Sequence, residues 1–203
     1  MSRPRRFREV TGFLLAGGAS RRMGTDKACL HLGRERLVDR QVRLLRAVCR
    51  TVAIIGPSAR LGDTGVQVYE DAITGRGPLG GINTGLETVR SEFSLFLGCD
   101  MPLMEARFLR YLCEQALATD ALATVPPPRT GGRYPLCIVL RRCALARVAA
   151  CLESGQNQVS RLFLRVPRRV ISKAEFAKAG FSTRIFRNLN TPEDYQRVRQ
   201  QWV

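Results

Sequence analysis

Apolar positions along this chain fall by turns into short unbroken runs and into helical spacing, and that alternation predicts its elements. Phe13 to Ala16 is an apolar run of strand length, and Leu37, Val42, Leu44, Leu45 and Val48 recur as one face of a helix over 37–48. Val52 to Ile55 reads as a second strand, stopped by Gly56 and Pro57, and Val66 to Tyr69 as a third. Beyond Glu70 and Asp71, the loop from Thr74 to Gly81 leads into a helix ending near Arg90. Phe93 to Gly98 is the next strand; it ends in Cys99, Asp100, Met101 and Pro102, ahead of a helix over 105–118. Leu122 to Val125 and Leu136 to Leu140 read as strands separated by a turn-rich loop that opens with Pro126, Pro127 and Pro128. A helix from Cys143 to Glu153, the segment Val159 to Leu164 and strands near Val170 and at Ile185–Phe186 follow. Pro192, well suited to a first helical position, opens the closing helix.

Strands alternating with helices imply a mostly parallel, Rossmann-like sheet flanked by helices, with ligands at the carboxyl ends of its strands. A chain of 203 residues, 45% of them hydrophobic, suits one α/β domain. Residues 1–10, rich in arginine, read as a flexible basic lead into a domain over 11–203. No apolar run approaches the ~20 residues of a membrane span, and the expected compartment is the cytoplasm. The seven cysteines form an odd set without Cys-x-x-Cys spacing, and His31 is the sole histidine, so reduced thiols are expected rather than a zinc centre.

The formal charge of +16 raises nucleic acid as a partner. Only three of the 33 cationic side chains are lysines, namely Lys27, Lys173 and Lys178, and the arginines are spread along the whole chain. That distribution favours compositional bias and small anionic ligands over a dedicated nucleic-acid stripe, and no aromatic RNA platform accompanies it.

Two strand ends carry candidate chemistry. After the first strand come Leu15, Ala16, Gly17 and Gly18, then Arg21, Arg22 and Lys27. Glycines without Cβ let backbone N–H groups approach phosphate oxygens, and the three cations supply neutralising charge. Arginine offers a planar fork and lysine a compact, mobile charge. The stretch is neither a Walker A loop nor a dinucleotide fingerprint. At the second strand end, Asp100 follows an apolar strand and can hold Mg²⁺, which takes one or two protein carboxylates besides water and phosphate. On residue chemistry alone Asp100 serves equally as a helix N-cap, Asp71 as a solvated loop residue, and Thr191 as a cap with Pro192 behind it.

The stretch from Leu15 to Lys27 resembles the signature Leu-Ala-Gly-Gly-x-Ser-x-Arg-Met-Gly-x-Asp-Lys of the MobA-like nucleotidyltransferases. The likeness runs from about Thr11 to Asp194 and implies the nucleotide-diphospho-sugar transferase type of fold. It implies transfer of GMP from GTP to the terminal phosphate of molybdenum-molybdopterin cofactor, with Mg²⁺ and loss of pyrophosphate. Partnership with molybdenum-insertion proteins, and delivery of the finished cofactor to apo-molybdoenzymes or their chaperones, are implied by the same analogy. By resemblance, Leu15, Ala16, Gly17 and Gly18 meet the guanine nucleotide, and Arg21 and Lys27 its phosphates. Asp71 contacts the nucleotide, and Gly77, Pro78 and Leu79 approach its base and ribose. Asp100 is the metal-binding aspartate, Lys27, Arg22 and Asp100 are the catalytic groups, and Asn188 and Asn190 face the acceptor.

Two departures stand out. Gly56 occupies a position where some guanylyltransferases carry a nucleotide-binding asparagine, and 155–158 is neutral where some relatives carry arginines. Related cytidylyltransferases tend to have Ala-Ala where this chain has Gly17 and Gly18, which favours GTP over CTP. A CTP-dependent enzyme, a sugar-phosphate acceptor and a non-catalytic nucleic-acid-binding relative are the competing expectations.

Overall fold

The computed structural model describes residues 5–17, 27–73, 75–129 and 131–201. Strand β1 (Phe7–Leu15) is followed by a 3-10 turn (Lys27–Cys29) and a small hairpin of β2 (His31–Leu32) and β3 (Glu35–Arg36). Then come α1 (Leu37–Val48), β4 (Cys49–Ile55), α2 (Ser58–Leu61), β5 (Gln67–Tyr69), α3 (Gly77–Thr88) and β6 (Phe93–Gly98). The second half holds α4 (Ala106–Leu117), β7 (Ala123–Val125), β8 (Cys137–Arg141), α5 (Leu145–Glu153) and α6 (Val159–Phe163). It closes with β9 (Arg168–Val170), α7 (Lys173–Lys178), a 3-10 turn (Thr183–Phe186) and α8 (Pro192–Arg199).

Seven strands form one sheet in the order β5-β4-β1-β6-β8-β7-β9. β8 runs antiparallel to both neighbours, and the remaining pairings are parallel. The fold is therefore the single α/β domain with a mostly parallel, helix-flanked sheet that the strand and helix alternation implies. From β1 the chain proceeds outward to β4 and β5, then crosses to β6 on the other side of β1. That reversal makes the carboxyl ends of β1 and β6 a topological switch point, where open parallel sheets leave a crevice for ligands.

Alternation along the strands sends side chains to two faces. Val10 and Leu14 of β1 join Ile54, Leu95 and Leu97 under α1 and α4. Phe13 and Leu15 join Ile55 and Phe96 under α3 and α5. Phe13 and Phe96 stack with centroids 5.2 Å apart. Against this pair α3 offers Gly85, where a Cβ would lie 2.7 Å from Phe96 Cε1 and 2.9 Å from Ile55 Cδ1. Gly85→Ala gains helix propensity worth about 1 kcal/mol but forces a packed ring to shift, and the expected net loss is about 1–2 kcal/mol by denaturant titration.

Three expectations need correction. Ile185 and Phe186 lie in a 3-10 turn rather than a strand, and neither belongs to a sheet. Both are buried, and Phe186 packs on Phe108 of α4 and Phe176 of α7, with centroids 5.2 and 5.3 Å away. The α3 helix stops at Thr88, before Arg90. β1 begins at Phe7, so the sheet takes in residues 7–10, grouped by composition with the basic lead.

Candidate active site

The switch point is assembled by backbone hydrogen bonds before any side chain acts. Ala16 N donates to Ile55 O at 2.8 Å and Cys99 N donates to Leu15 O at 3.1 Å, tying the end of β1 to β4 and β6. Leu15 turns its side chain into the core, so it can meet a ligand there only through its backbone. Gly17 is exposed at the mouth. Gly18, Arg21 and Arg22 lie outside the described residues. Gly56 abuts this loop so closely that a Cβ would come within 3.0 Å of the Ala16 carbonyl carbon and 3.2 Å of Gly17 N. A side chain at 56 would push on Ala16 and Gly17 themselves, so the packing leaves no room for the asparagine that the family resemblance offers at this position.

Asp100 follows β6. It does not cap the next helix: α4 begins at Ala106 after Glu105, and Asp100 Oδ2 instead accepts from Asn188 Nδ2 at 2.8 Å. Gly98 leaves room for the carboxyl, since a Cβ there would sit 3.0 Å from Asp100 Oδ1. Burial raises the Asp100 pKa above its ordinary value, opposed by the nearby charges of Lys27 and Arg129 and by the Asn188 hydrogen bond. Desolvation and two nearby cations thus act on this carboxylate in opposite directions.

The C-terminal segment reaches this point by packing. Phe176, Phe181 and Phe186 cluster on Phe108, and buried Leu189 donates its N–H to Asp100 O at 2.8 Å. With Leu189 turned inward, its two neighbours meet the site: Asn188 at Asp100, and Asn190, whose Oδ1 accepts from Lys27 Nζ at 3.3 Å. Thr191 is the helix cap that its sequence context allows, in a reciprocal capping box with Asp194 ahead of Pro192. The structure thus brings Lys27, Asp100, Asn188 and Asn190 together, from residues up to 163 positions apart. It adds Arg129, whose Nη1 donates to Asn188 Oδ1 at 3.1 Å.

Asp71 lies at the end of β5 on a different set of partners. Its Oδ1 accepts from Ile73 N at 3.1 Å and from Thr84 Oγ1 at 3.5 Å, bracing the loop into α3. Gly80 packs against that carboxyl. Gly77 takes φ +59°, a conformation that favours glycine, and Pro78 and Leu79 follow in the first turn of α3, with Leu79 buried. The cleft of about 740 Å³ near Glu92, Arg141 and Arg142 is at the opposite end of β6 and holds none of these residues.

These residues suit Mg²⁺ bound with a nucleotide. Among the described residues no three acidic, histidine or cysteine side chains gather as a self-sufficient metal cage. One rigid carboxylate with a lysine at hand fits a hard cation whose other ligands are waters and substrate phosphates. Asp100 has the position and the neighbours that such a cation would need.

Comparison with known proteins agrees with this geometry. A model of the MobA-like NTP transferase domain matches residues 12–170. A probable molybdenum cofactor guanylyltransferase of Pelotomaculum thermopropionicum is 33% identical over 94% of this chain and 92% of its own. A molybdenum cofactor guanylyltransferase of Syntrophotalea carbinolica is 31% identical over 93% of this chain and 90% of its own. The crystal structure of molybdopterin-guanine dinucleotide biosynthesis protein A from Archaeoglobus fulgidus superposes with a TM-score of 0.80 at 18% identity. It covers 94% of this chain and 97% of that one, a likeness of fold. With its glycine loop and Asp100 meeting at the switch point, and with relatives matched along almost its whole length, the chain belongs to the MobA-like NTP transferase family.

Proposed function

We propose that this protein transfers GMP from GTP to the terminal phosphate of molybdenum-molybdopterin cofactor, releasing pyrophosphate and forming molybdopterin guanine dinucleotide. The observation that carries the reading is the juxtaposition of Asp100, Lys27, Asn188 and Asn190 at the carboxyl ends of β1 and β6. The names of the full-length relatives supply the nucleotide and the acceptor.

An acceptor phosphate oxygen attacks the α-phosphorus of GTP in line with the departing pyrophosphate, and the chain has to hold both partners while negative charge gathers between them. Backbone N–H groups at Gly17 and Gly18 cradle the phosphates, with Arg21 and Arg22 as further positive charge. Lys27 neutralises the transferring group, and its bond to Asn190 limits where the ammonium can swing. Asp71 and the backbone of the turn at Gly77, Pro78 and Leu79 line the nucleoside side, the Leu79 side chain being buried in the core. Asp100 holds Mg²⁺, which when bound would offset the charge of the phosphate oxygens. Asn188 and Asn190 face the acceptor. Molybdenum-insertion proteins and molybdoenzyme chaperones are the corresponding upstream and downstream partners, in the cytoplasm.

Calorimetric titration with GTP, CTP, ATP and UTP in the presence of Mg²⁺ tests the nucleotide assignment. GTP is expected to bind at least about tenfold more tightly than CTP, a difference of about 1.4 kcal/mol, and to weaken in Asp100→Asn and Lys27→Ala. Tighter binding of CTP would transfer the assignment to a cytidylyltransferase, and no transfer to molybdopterin despite GTP binding would remove the acceptor.

A further inference from the structure

Asn188 joins two groups of opposite kind. Its Nδ2 donates to Asp100 Oδ2 at 2.8 Å, and its Oδ1 accepts from Arg129 Nη1 at 3.1 Å. A carboxylate only accepts and a guanidinium only donates, so a single orientation of the amide satisfies both. Asp100 alone selects the same orientation, but Arg129 anchors the far end and turns a single hydrogen bond into a two-point brace.

The loop between β7 and β8 is shaped to place residue 129. Arg129 N donates to Arg133 O at 2.7 Å, and Gly132 N donates to Arg129 O at 3.0 Å. Gly131 and Gly132 take φ of +81° and +73°, which residues with side chains rarely adopt. The loop enters through Pro126 and Pro127, both buried.

We propose that Arg129 is a positioning residue of the transfer site: through Asn188 it holds the Asp100 carboxylate in its working orientation. The activity arm of the test rests on the guanylyltransferase reading, whereas the structural arm does not. In this role Arg129 acts through Asn188, and through its charge on the Asp100 carboxylate, rather than by touching substrate. Its loss therefore loosens the geometry without removing a substrate contact, and small misplacements at a reacting centre lower turnover more than binding.

The experiment compares the full chain with Arg129→Ala and Gly132→Ala in two measurements. In steady-state transfer, Arg129→Ala is expected to lower kcat about tenfold while changing KM for GTP and for the acceptor by less than about twofold. Millimolar guanidinium is expected to restore part of the Arg129→Ala loss, because it can refill the vacated donor position, and to leave the parent rate unchanged. Gly132→Ala, which strains the turn and keeps the arginine, is expected to reproduce the kcat loss in part and to gain nothing from guanidinium. In ¹H–¹⁵N spectra, the side-chain amide pair of Asn188, assigned by its disappearance in Asn188→Asp, is expected to shift and broaden in Arg129→Ala.

An unchanged kcat, or an Asn188 amide signal identical in Arg129→Ala and parent, overturns the proposal. A rise in acceptor KM with kcat intact also overturns it, by making Arg129 a substrate-binding residue. Should the parent protein transfer nothing to molybdopterin, it is the guanylyltransferase reading that fails. The Asn188 amide signal then still decides the role of Arg129.

Discussion

Asp100→Asn is expected to lower turnover about 10³-fold, equivalent to about 4 kcal/mol of transition-state stabilisation, while leaving the fold at least as stable as the parent. The substitution keeps the shape of the side chain and an oxygen able to accept from Asn188 Nδ2, which now bonds Asp100 Oδ2 at 2.8 Å. What it removes is the charge. A neutral amide is a poor ligand for a hard divalent cation, so the loss falls on the chemistry and on Mg²⁺-dependent GTP binding together. Stability moves the other way. Burial raises the Asp100 pKa, so the folded chain holds that proton more tightly than the unfolded chain does. The resulting stability is present in full below the ordinary value of 3.8 and is lost as the pH rises through the folded pKa, so at neutral pH the ionised group is a net cost. Asparagine carries no such cost. Thermal unfolding in metal-free buffer at neutral pH should therefore give a Tm equal to or above the parent's, the usual signature of a residue kept for function. A kcat within threefold of the parent would take Asp100 out of the metal site, whereas a large drop in Tm would make it a structural residue.

The elements most legible in the sequence are those whose period is long and unmixed. The helix over 37–48 and the strand over 93–98 fall where their patterns place them, because one carries an apolar stripe and the other a short run that is apolar but for Ser94. Ile185 and Phe186 misled for the opposite reason. Two adjacent apolar residues carry no period, and only the ring of Phe108 explains why they are buried. The short α7 helix has too few residues to show a period, and its one local signal is Ser172 and Glu175 at capping-box spacing.

The site divides along the same line. Lys27 and Asp100 sit in contiguous motifs: residue chemistry marks Lys27, the family resemblance decides for Asp100 what chemistry alone leaves open, and the alternation around Leu189 puts Asn188 and Asn190 on one surface. Arg129 was beyond reach, because its meaning comes from a partner 59 residues away and its own surroundings read as a turn. Gly56 shows a subtler limit. Its departure from relatives suggested a lost contact, whereas the packing against Ala16 and Gly17 gives the glycine a steric reason of its own.

Lys27→Ala carries the second large effect, an expected loss of about 10² to 10³ in kcat/KM for GTP. A unit charge about 4 Å from a phosphate oxygen is worth roughly 4 kcal/mol at the effective dielectric of a partly open site, which sets the upper end of that range. The fold should tolerate the change: Lys27 opens a 3-10 turn whose packing rests on buried Ala28, so the Tm is expected within about 2 °C of the parent. Lys27→Arg should recover less than about a tenth of the lost activity, because a rigid fork cannot take the place of a compact ammonium tethered to Asn190 Oδ1. The sharper test is the double variant. Lys27 lies close enough for its charge to act on Asp100, and both would act on the charge of one phosphoryl group. Residues working as a unit lose most of their effect at the first removal, so Lys27→Ala combined with Asp100→Asn is expected no more than about threefold below the worse single variant. Multiplied losses would instead place the two residues at separate steps, with Lys27 gripping the nucleotide and Asp100 serving the transfer alone.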